Sequence, residues 1–128
     1  MKPIMIRLSL LIGLPLILAG CAHKNNPASA IEAYIQALVA KDANKLTSLS
    51  CANWESQAQV ELDSFASVGT TLNGLKCQEK SQDGSYTLVA CEGKIIADYN
   101  GEKQEINLAD RIYKAIQEGG EWRMCGYQ

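Results

Sequence analysis

Apolar residues recur at intervals of three and four positions in the part of the chain that follows residue 26, and this spacing predicts amphipathic helices. The first apolar stripe contains Ala30, Ile31, Tyr34, Ile35, Leu38 and Val39. Asn26 is a good cap for such a helix, and Pro27 is tolerated at its first position. A second short helix is predicted over residues 43–49 and a third over residues 53–66. In the third helix we expect Glu61 on the polar side, away from the apolar face.

The pattern changes at Gly69, after which β-branched residues and turn signals replace the helical spacing. Four antiparallel strands are predicted: residues 75–80, residues 86–99 with a bulge or bend at Gly93, residues 103–116, and residues 121–127. Residues 105–117 also fit the face of a helix, but the Asn100-Gly101 hairpin signal before them favours a strand. Three helices followed by four strands indicate an α+β fold in which a curved sheet packs over the first helix.

Two cysteines in the first predicted hairpin are placed for a disulfide. Cys77 and Cys91 each lie seven residues from Gly84. A three-residue turn centred on Gly84 would put them directly opposite one another, whereas a two-residue turn would offset them by one. Directly opposed side chains come within about 4.5–5.5 Å at Cβ, which is close to disulfide distance.

The first twenty residues have the pattern of an export signal. Lys2 and Arg7 precede an apolar run over residues 8–19, which is too short for the roughly 20 residues that span a bilayer. The run ends in Leu18-Ala19-Gly20-Cys21, which resembles the bacterial lipobox at all four positions. The resemblance implies that a diacylglyceryl group is attached to the thiol of Cys21, that the leader is cleaved and that the new amine is acylated. Two or more acyl chains give stable membrane attachment.

This resemblance divides the chain into a signal peptide at residues 1–20, a lipidated tether at residues 21–26 and a domain at residues 27–128. Ala22 follows the cysteine, and the absence of Asp there resembles lipoproteins sent to the outer membrane. We therefore expect an envelope lipoprotein anchored in a membrane by its lipid, in the outer membrane facing the periplasm if the host is Gram-negative.

The charge of the mature chain argues against one class of partner. The leader holds two of the twelve basic residues, so the 108 residues from Cys21 onward carry ten basic and fourteen acidic side chains and a formal charge of −4. Because proteins that bind nucleic acid usually present a basic patch, we expect no nucleic-acid partner. The length fits one small domain.

Four cysteines follow Cys21, and an even number in an exported chain predicts two disulfides. With Cys77 paired to Cys91, Cys51 and Cys125 form the second bridge and join the helical half to the last strand. A zinc site is the alternative, but none of the four cysteines stands in a C-x-x-C pair and the single histidine lies in the tether. We expect no metal and no other cofactor.

Two segments resemble small bacterial lipoproteins with an NTF2-like domain of the DUF4878 type. They are Pro-Ala-Ser-Ala-Ile-Glu-Ala-Tyr at residues 27–34, continued by Ala-Lys-Asp-Ala at residues 40–43, and Gly-Glu-Trp-Arg-Met-Cys at residues 120–125. The resemblance covers residues 27–128 and implies a cystatin-like cone, in which a curved antiparallel sheet surrounds a long helix and leaves a pocket at the open end. Such domains include enzymes, ligand binders and interaction modules, so the fold alone does not specify the activity.

The candidate pocket residues are aromatic: Tyr34, Trp54, Tyr99, Tyr113 and Trp122. No set of nucleophile, histidine and carboxylate can be assembled in the domain. We therefore expect a non-catalytic domain that binds a protein partner or a small apolar ligand. The alternatives are a small isomerase-like or hydrolase-like enzyme that uses Asp98 or Asp110 as a base, and a structural spacer.

Overall fold

The computed structural model describes residues 25–128, so the predictions for the leader and for lipid attachment at Cys21 lie outside the described residues. Within these described residues, three helices precede five strands. The helices are α1 (Pro27–Ala40), α2 (Ala43–Ser48) and α3 (Glu55–Ser64). The strands are β1 (Gly69–Asp83), β2 (Tyr86–Tyr99), β3 (Glu102–Asn107), β4 (Ile112–Glu118) and β5 (Glu121–Tyr127), and a 3-10 turn at Leu108–Asp110 separates β3 from β4.

The ends of helix α1 are set by local chemistry. The side chain of Asn26 accepts a hydrogen bond from the backbone nitrogen of Ser29 at 2.8 Å, and the backbone nitrogen of Asn26 donates to the Ser29 hydroxyl at 3.0 Å. This reciprocal pair satisfies two amides that the first helical turn leaves unpaired. The helix ends at Lys41, which takes a left-handed conformation with a φ of 58°. The predicted start of the helix is confirmed.

The five strands form one antiparallel sheet in the order β1-β2-β4-β5, with β3 paired to the second half of β2. Helix α1 contacts both outer strands, β1 and β5, because the sheet curls around it. Ile31, Tyr34 and Ile35 of the helix are almost fully buried and belong to one core cluster with Val89 and Met124 of the sheet. The predicted α+β fold, with helices packed on a curved antiparallel sheet, is confirmed.

The prediction of four strands is wrong, because residues 103–116 form two strands. Both follow the same edge of β2: β3 pairs with its residues 94–99 and β4 with its residues 86–90. Between them, the side chain of Asn107 accepts a hydrogen bond from the backbone of Ala109 at 3.1 Å and starts the 3-10 turn. The turn buries Leu108, which is 3% exposed. Burial of this side chain and the Asn107 cap together interrupt the strand.

The first disulfide forms where the hairpin arithmetic placed it, but the turn is shorter than predicted. Cys77 pairs directly with Cys91, and their Cα atoms are 4.1 Å apart. The turn has two residues, Gly84 and Ser85, since Asp83 pairs with Tyr86. This turn alone would offset the cysteines by one position. A bulge between residues 79 and 81 of β1 absorbs one residue and restores the register.

The second predicted disulfide, between Cys51 and Cys125, is also present, with Cα atoms 5.3 Å apart. It lies beside two backbone hydrogen bonds that join the segment after α2 to β5. The Cys51 nitrogen donates to the Met124 oxygen at 2.8 Å, and the Met124 nitrogen donates to the Leu49 oxygen at 2.8 Å. The helical half and the last strand are therefore linked both covalently and through the backbone.

The irregularity predicted at Gly93 is confirmed. Asn73 pairs with Lys94 and Lys76 pairs with Glu92, so two residues of β1 lie opposite Gly93. Gly93 has a φ of 101°, and a Cβ atom there would lie 2.6 Å from the Asn73 carbonyl oxygen. Only glycine fits this close approach of the two strands.

The outer edge of β1 is partly covered by helix α1. The carboxylate of Glu32 accepts a hydrogen bond from the backbone nitrogen of Cys77 at 2.8 Å. The Thr70 hydroxyl donates to the carbonyl oxygen of Val39 at 2.7 Å near the other end of the helix. These contacts fix the position of α1 along the sheet and leave a space at one end of the core.

Candidate functional site

A partly open cavity of about 510 Å³ lies between helices α1 and α3 and the end of the sheet that carries the 3-10 turn. Its volume is within the range of about 300–1,000 Å³ that is typical of small-molecule sites. The apolar part of its wall is formed by Ile35, Leu38, Phe65, Ile95, Ile106 and Leu108. Several polar groups of the wall, among them Tyr34, Trp54 and Arg111, lie around Glu61 of helix α3.

Helix α3 places a carboxylate in this wall. The side chain of Glu61 is 14% exposed, and its Oε2 atom accepts a hydrogen bond from the Tyr34 hydroxyl at 2.8 Å. The Tyr34 oxygen in turn accepts a hydrogen bond from Nε1 of Trp54 at 3.0 Å. A continuous chain of polar contacts therefore runs from the indole through the phenol to the carboxylate, which is held in a fixed orientation.

Arg111 is the basic group nearest to this carboxylate in the wall. Its Nη1 atom lies 4.0 Å from Oε1 of Glu61, which is longer than the roughly 2.7–2.9 Å of a charge-assisted hydrogen bond. The Arg111 side chain is 54% exposed, and its guanidinium carbon lies 4.7 Å above the centre of the Tyr127 ring. Arg111 thus stands at the rim of the cavity and compensates the charge of Glu61 only in part.

Three tyrosines around the carboxylate keep their protons far into the alkaline range. Burial, and then the nearby charge of Glu61, raise the pKa values of Tyr34 and Tyr127 well above the usual value for tyrosine. Burial raises the pKa of Tyr113 to about 12, although Arg111 acts in the opposite direction. At neutral pH all three phenols are therefore uncharged, so each can donate a hydrogen bond.

Tyr127 is the centre of the aromatic part of the wall. Its ring meets Trp54 edge to face, with centroids 5.4 Å apart and an angle of 87° between the planes. It also meets Tyr113, with centroids 5.2 Å apart and an angle of 64°. These edge-to-face contacts are favourable and hold the rings in place.

Four of the five predicted pocket residues line the cavity, namely Tyr34, Trp54, Tyr99 and Tyr113. The fifth, Trp122, does not. It lies near the β4–β5 turn, where it pairs with Gln117 and where its backbone nitrogen donates to the Asn25 side chain at 2.6 Å. Trp122 is five residues from Tyr127, about 17 Å along an extended strand, and Tyr127 is the residue of β5 that reaches the cavity.

The two aspartates considered as catalytic bases are outside the cavity wall. Asp98 accepts a hydrogen bond from the backbone nitrogen of Gly101 at 2.6 Å and so stabilises the β2–β3 turn. Asp110 is exposed in the 3-10 turn. Neither is among the residues that line the cavity.

Sequence reasoning missed Glu61, Arg111 and Tyr127. The expectation that Glu61 points away from the core is wrong, because the cavity extends along the side of α3 that carries Gln57, Val60, Glu61 and Ser64. The sequence contains one signal for Tyr127, namely the glycine that precedes it. Gly126 has a φ of 121°, and a Cβ atom there would meet the Trp54 ring at 3.4 Å. This glycine allows the bulge that brings Tyr127 opposite Tyr113.

Four cysteines of the described chain are joined in the two disulfides. Within residues 25–128 no three metal-binding side chains lie close enough together to hold an ion. None of the helices in that range is long and apolar enough to cross a membrane.

Comparison with known proteins finds a likeness to solved structures but no family. No model of a protein family matches the chain, and no curated protein matches it significantly. Among solved structures, the chain is similar to an NTF2-like protein with a cystatin-like fold from Novosphingobium aromaticivorans. The two are 12% identical with a TM-score of 0.47, and the likeness covers 76% of this chain and 73% of the other. A likeness this weak supports no conclusion about activity, and a relation to lipoproteins of the DUF4878 type stays a prediction.

Proposed function

We propose that this chain is a lipid-anchored envelope protein whose domain binds a small, largely apolar ligand without catalysing a reaction. The observation that supports this most directly is the cavity itself. It combines an apolar wall with a few polar groups that lie close together, namely Glu61, Arg111 and the Tyr34 hydroxyl. A small number of fixed polar groups in an apolar cleft is typical of sites that bind small molecules.

The exposed apolar surface favours a small ligand over a protein partner. Within residues 25–128, the large hydrophobic side chains that remain exposed are Val60, at 59%, and Tyr99, at 41%. Both line the cavity. A protein partner would need a wider apolar patch, whereas a ligand that fills the cavity would cover these two side chains.

The non-catalytic part of this proposal is supported by the positions of Asp98 and Asp110, the two candidate bases, neither of which lines the cavity. Asp98 holds a turn, and Glu61 holds the Tyr34 hydroxyl. A spacer would need no cavity, so the open volume favours binding over a purely structural role. The fixed orientation of Glu61 suits a group that receives a ligand.

Asn25, the first described residue, and the cavity lie at different ends of strand β5. Cys21 is four residues before Asn25, a distance of at most about 14 Å of extended chain. Asn25 is held to Trp122 near the β4–β5 turn, and Tyr127 reaches the cavity at the other end of the strand. We therefore place the cavity away from the membrane, where it would take its ligand from the aqueous side.

Binding can be tested with a neutral fluorescent probe, N-phenyl-1-naphthylamine, added to the purified protein. We expect a saturable rise in fluorescence. The Val60→Trp variant fills the cavity mouth from an exposed position and should weaken probe binding by about tenfold or more. Gln59→Trp is the matched control, since residue 59 is exposed on the same helix and does not line the cavity. If the probe fails to saturate, or if both variants bind it equally well, the proposed site is wrong.

The anchor can be tested separately by substitution of Cys21. We expect the natural chain to be recovered from membranes as a triacylated protein that begins at Cys21. Cys21→Ser should remain unprocessed or be released from membranes. Recovery of a membrane-bound, mature form from the Cys21→Ser variant would contradict the lipoprotein assignment.

A further inference from the structure

The buried side of the cavity carries more negative than positive charge. Glu61 is 14% exposed, whereas the Arg111 side chain, 4.0 Å away, is 54% exposed and is solvated at the rim. A carboxylate taken out of water is costly unless it is paired and hydrogen-bonded. The carboxylate is hydrogen-bonded by Tyr34, at Oε2, and by Tyr127, but both are uncharged donors, and the nearest cation of the described cavity wall, Arg111, lies 4.0 Å from Oε1. A group that enters the cavity therefore meets an incompletely compensated negative charge.

The aromatic side chains around Glu61 also favour a positively charged ligand. Tyr34, Trp54, Tyr113 and Tyr127 all line the cavity, and none of the phenols is charged at neutral pH. The face of an aromatic ring attracts cations, and the effect is larger where water is excluded. The Tyr127 ring already attracts one cation, the guanidinium of Arg111. Carboxylate and rings together form a surface that suits an ammonium group.

We infer that the ligand is an organic cation: an ammonium group, primary or alkylated, carried on an apolar body. The ammonium contacts Oε1 of Glu61, and the body fills the part of the cavity lined by Ile35, Leu38 and Phe65. This inference rests on the proposed function, that is, on the cavity being a ligand site. It adds the chemical class of the ligand.

Arg111 would attract an anionic ligand but compete with a cationic one, so its removal distinguishes the two kinds of ligand. For an anionic ligand Arg111 would be the attachment point, although the anion would then lie close to Glu61 and be repelled by it. For a cationic ligand Arg111 competes for the same carboxylate. Removal of Arg111 should therefore weaken anion binding and strengthen cation binding.

The experiment measures displacement of N-phenyl-1-naphthylamine at pH 7 by octylammonium, octanol and octanoate, each below its micellar concentration. The three share one hydrocarbon chain and differ in head-group charge. We expect octylammonium to displace the probe at concentrations about tenfold lower than octanol, and octanoate to be the weakest. Glu61→Gln keeps the shape of the side chain and should reduce the preference for the cation over the alcohol to less than about threefold. Arg111→Gln should increase octylammonium affinity about threefold or more.

Matched controls carry the same change in charge outside the cavity. Glu55→Gln lies on helix α3, and Lys103→Gln lies on strand β3; both positions are exposed and neither lines the cavity. Neither control should alter the order of the three competitors. Equal displacement by octanol or octanoate, or weaker octylammonium binding in Arg111→Gln, would overturn the inference while leaving the proposed function in place. If the probe itself fails to bind, the proposed function fails first.

Discussion

Removal of the Cys51–Cys125 disulfide should destabilise the domain more than removal of the Cys77–Cys91 disulfide. The perturbation is replacement of both cysteines of one bridge by alanine. All four residues are buried, between 1% and 9% exposed, so the loss of packing is similar for the two pairs. The comparison therefore isolates the size of the loop that each bridge closes.

The loop sizes give the expected magnitudes. The partners are 74 residues apart in the Cys51–Cys125 bridge and 14 residues apart in the Cys77–Cys91 bridge. In the chain-entropy model, these loops correspond to about 4.5 and about 3 kcal/mol. Each variant keeps only the other bridge, so the two variants differ in stability by the full difference between these two values. The expected difference in the free energy of unfolding is thus about 1.5 kcal/mol.

The assay is equilibrium unfolding in urea at 25 °C without reductant, followed by far-ultraviolet circular dichroism. A domain of this size has only about 5–15 kcal/mol of total stability, so each loss should lower the midpoint clearly. If the variant that lacks the Cys77–Cys91 bridge were the less stable of the two, loop closure would not be the main contribution of these bridges. The same conclusion would follow if the two variants were equally stable.

Three further predictions follow from other parts of the fold. Gly93→Ala should cost at least about 1 kcal/mol more than Gly84→Ala in urea unfolding, because both positions have positive φ but only Gly93 has backbone atoms at 2.6 Å from a new Cβ. Tyr34→Phe should lower the free energy of unfolding by about 1–3 kcal/mol, since it removes the acceptor of Trp54 and one of the hydrogen-bond donors to Glu61; a loss below about 0.5 kcal/mol would show that this chain of contacts is weak. In a spectrophotometric titration, three phenols should ionise at a higher pH than a free tyrosine does. They are Tyr34, Tyr113 and Tyr127. Because their folded pKa values are raised, the stability they contribute is fully present below about pH 10 and falls as the pH rises toward about 12 and beyond; stability that stays constant over this window would contradict the burial of these phenols.

Features set by neighbouring residues could be predicted from the sequence. The start of α1 depends on Asn26, Pro27 and Ser29, which lie within four positions. The Cys77–Cys91 pairing followed from counting residues around Gly84. Even there the turn length was wrong, and the bulge that corrected it has no clear sequence signal. Such a bulge depends on the twist of both strands and on what they pack against.

The candidate site was only half predictable, because its polar residues come together through tertiary packing. Helical periodicity assigned Glu61 to the solvent side, because an amphipathic helix usually has one packed face and one solvated face. Helix α3 instead borders an open cavity, so a polar position faces inward there. Arg111 follows a 3-10 turn that was read as part of a continuous strand. Its position at the rim depends on that interruption.

The contact between Glu32 and the backbone of Cys77 has a consequence for how this protein behaves in a crowded compartment. Strand β1 is the longest of the sheet and lies at its border, where a free row of amides would invite a strand from a neighbouring molecule. The Glu32 carboxylate occupies one of those amides near the middle of the row. An incoming strand would have to displace the Glu32 carboxylate before it could pair with this amide. Helix α1, which fills the core, therefore also opposes self-association through the edge of the sheet.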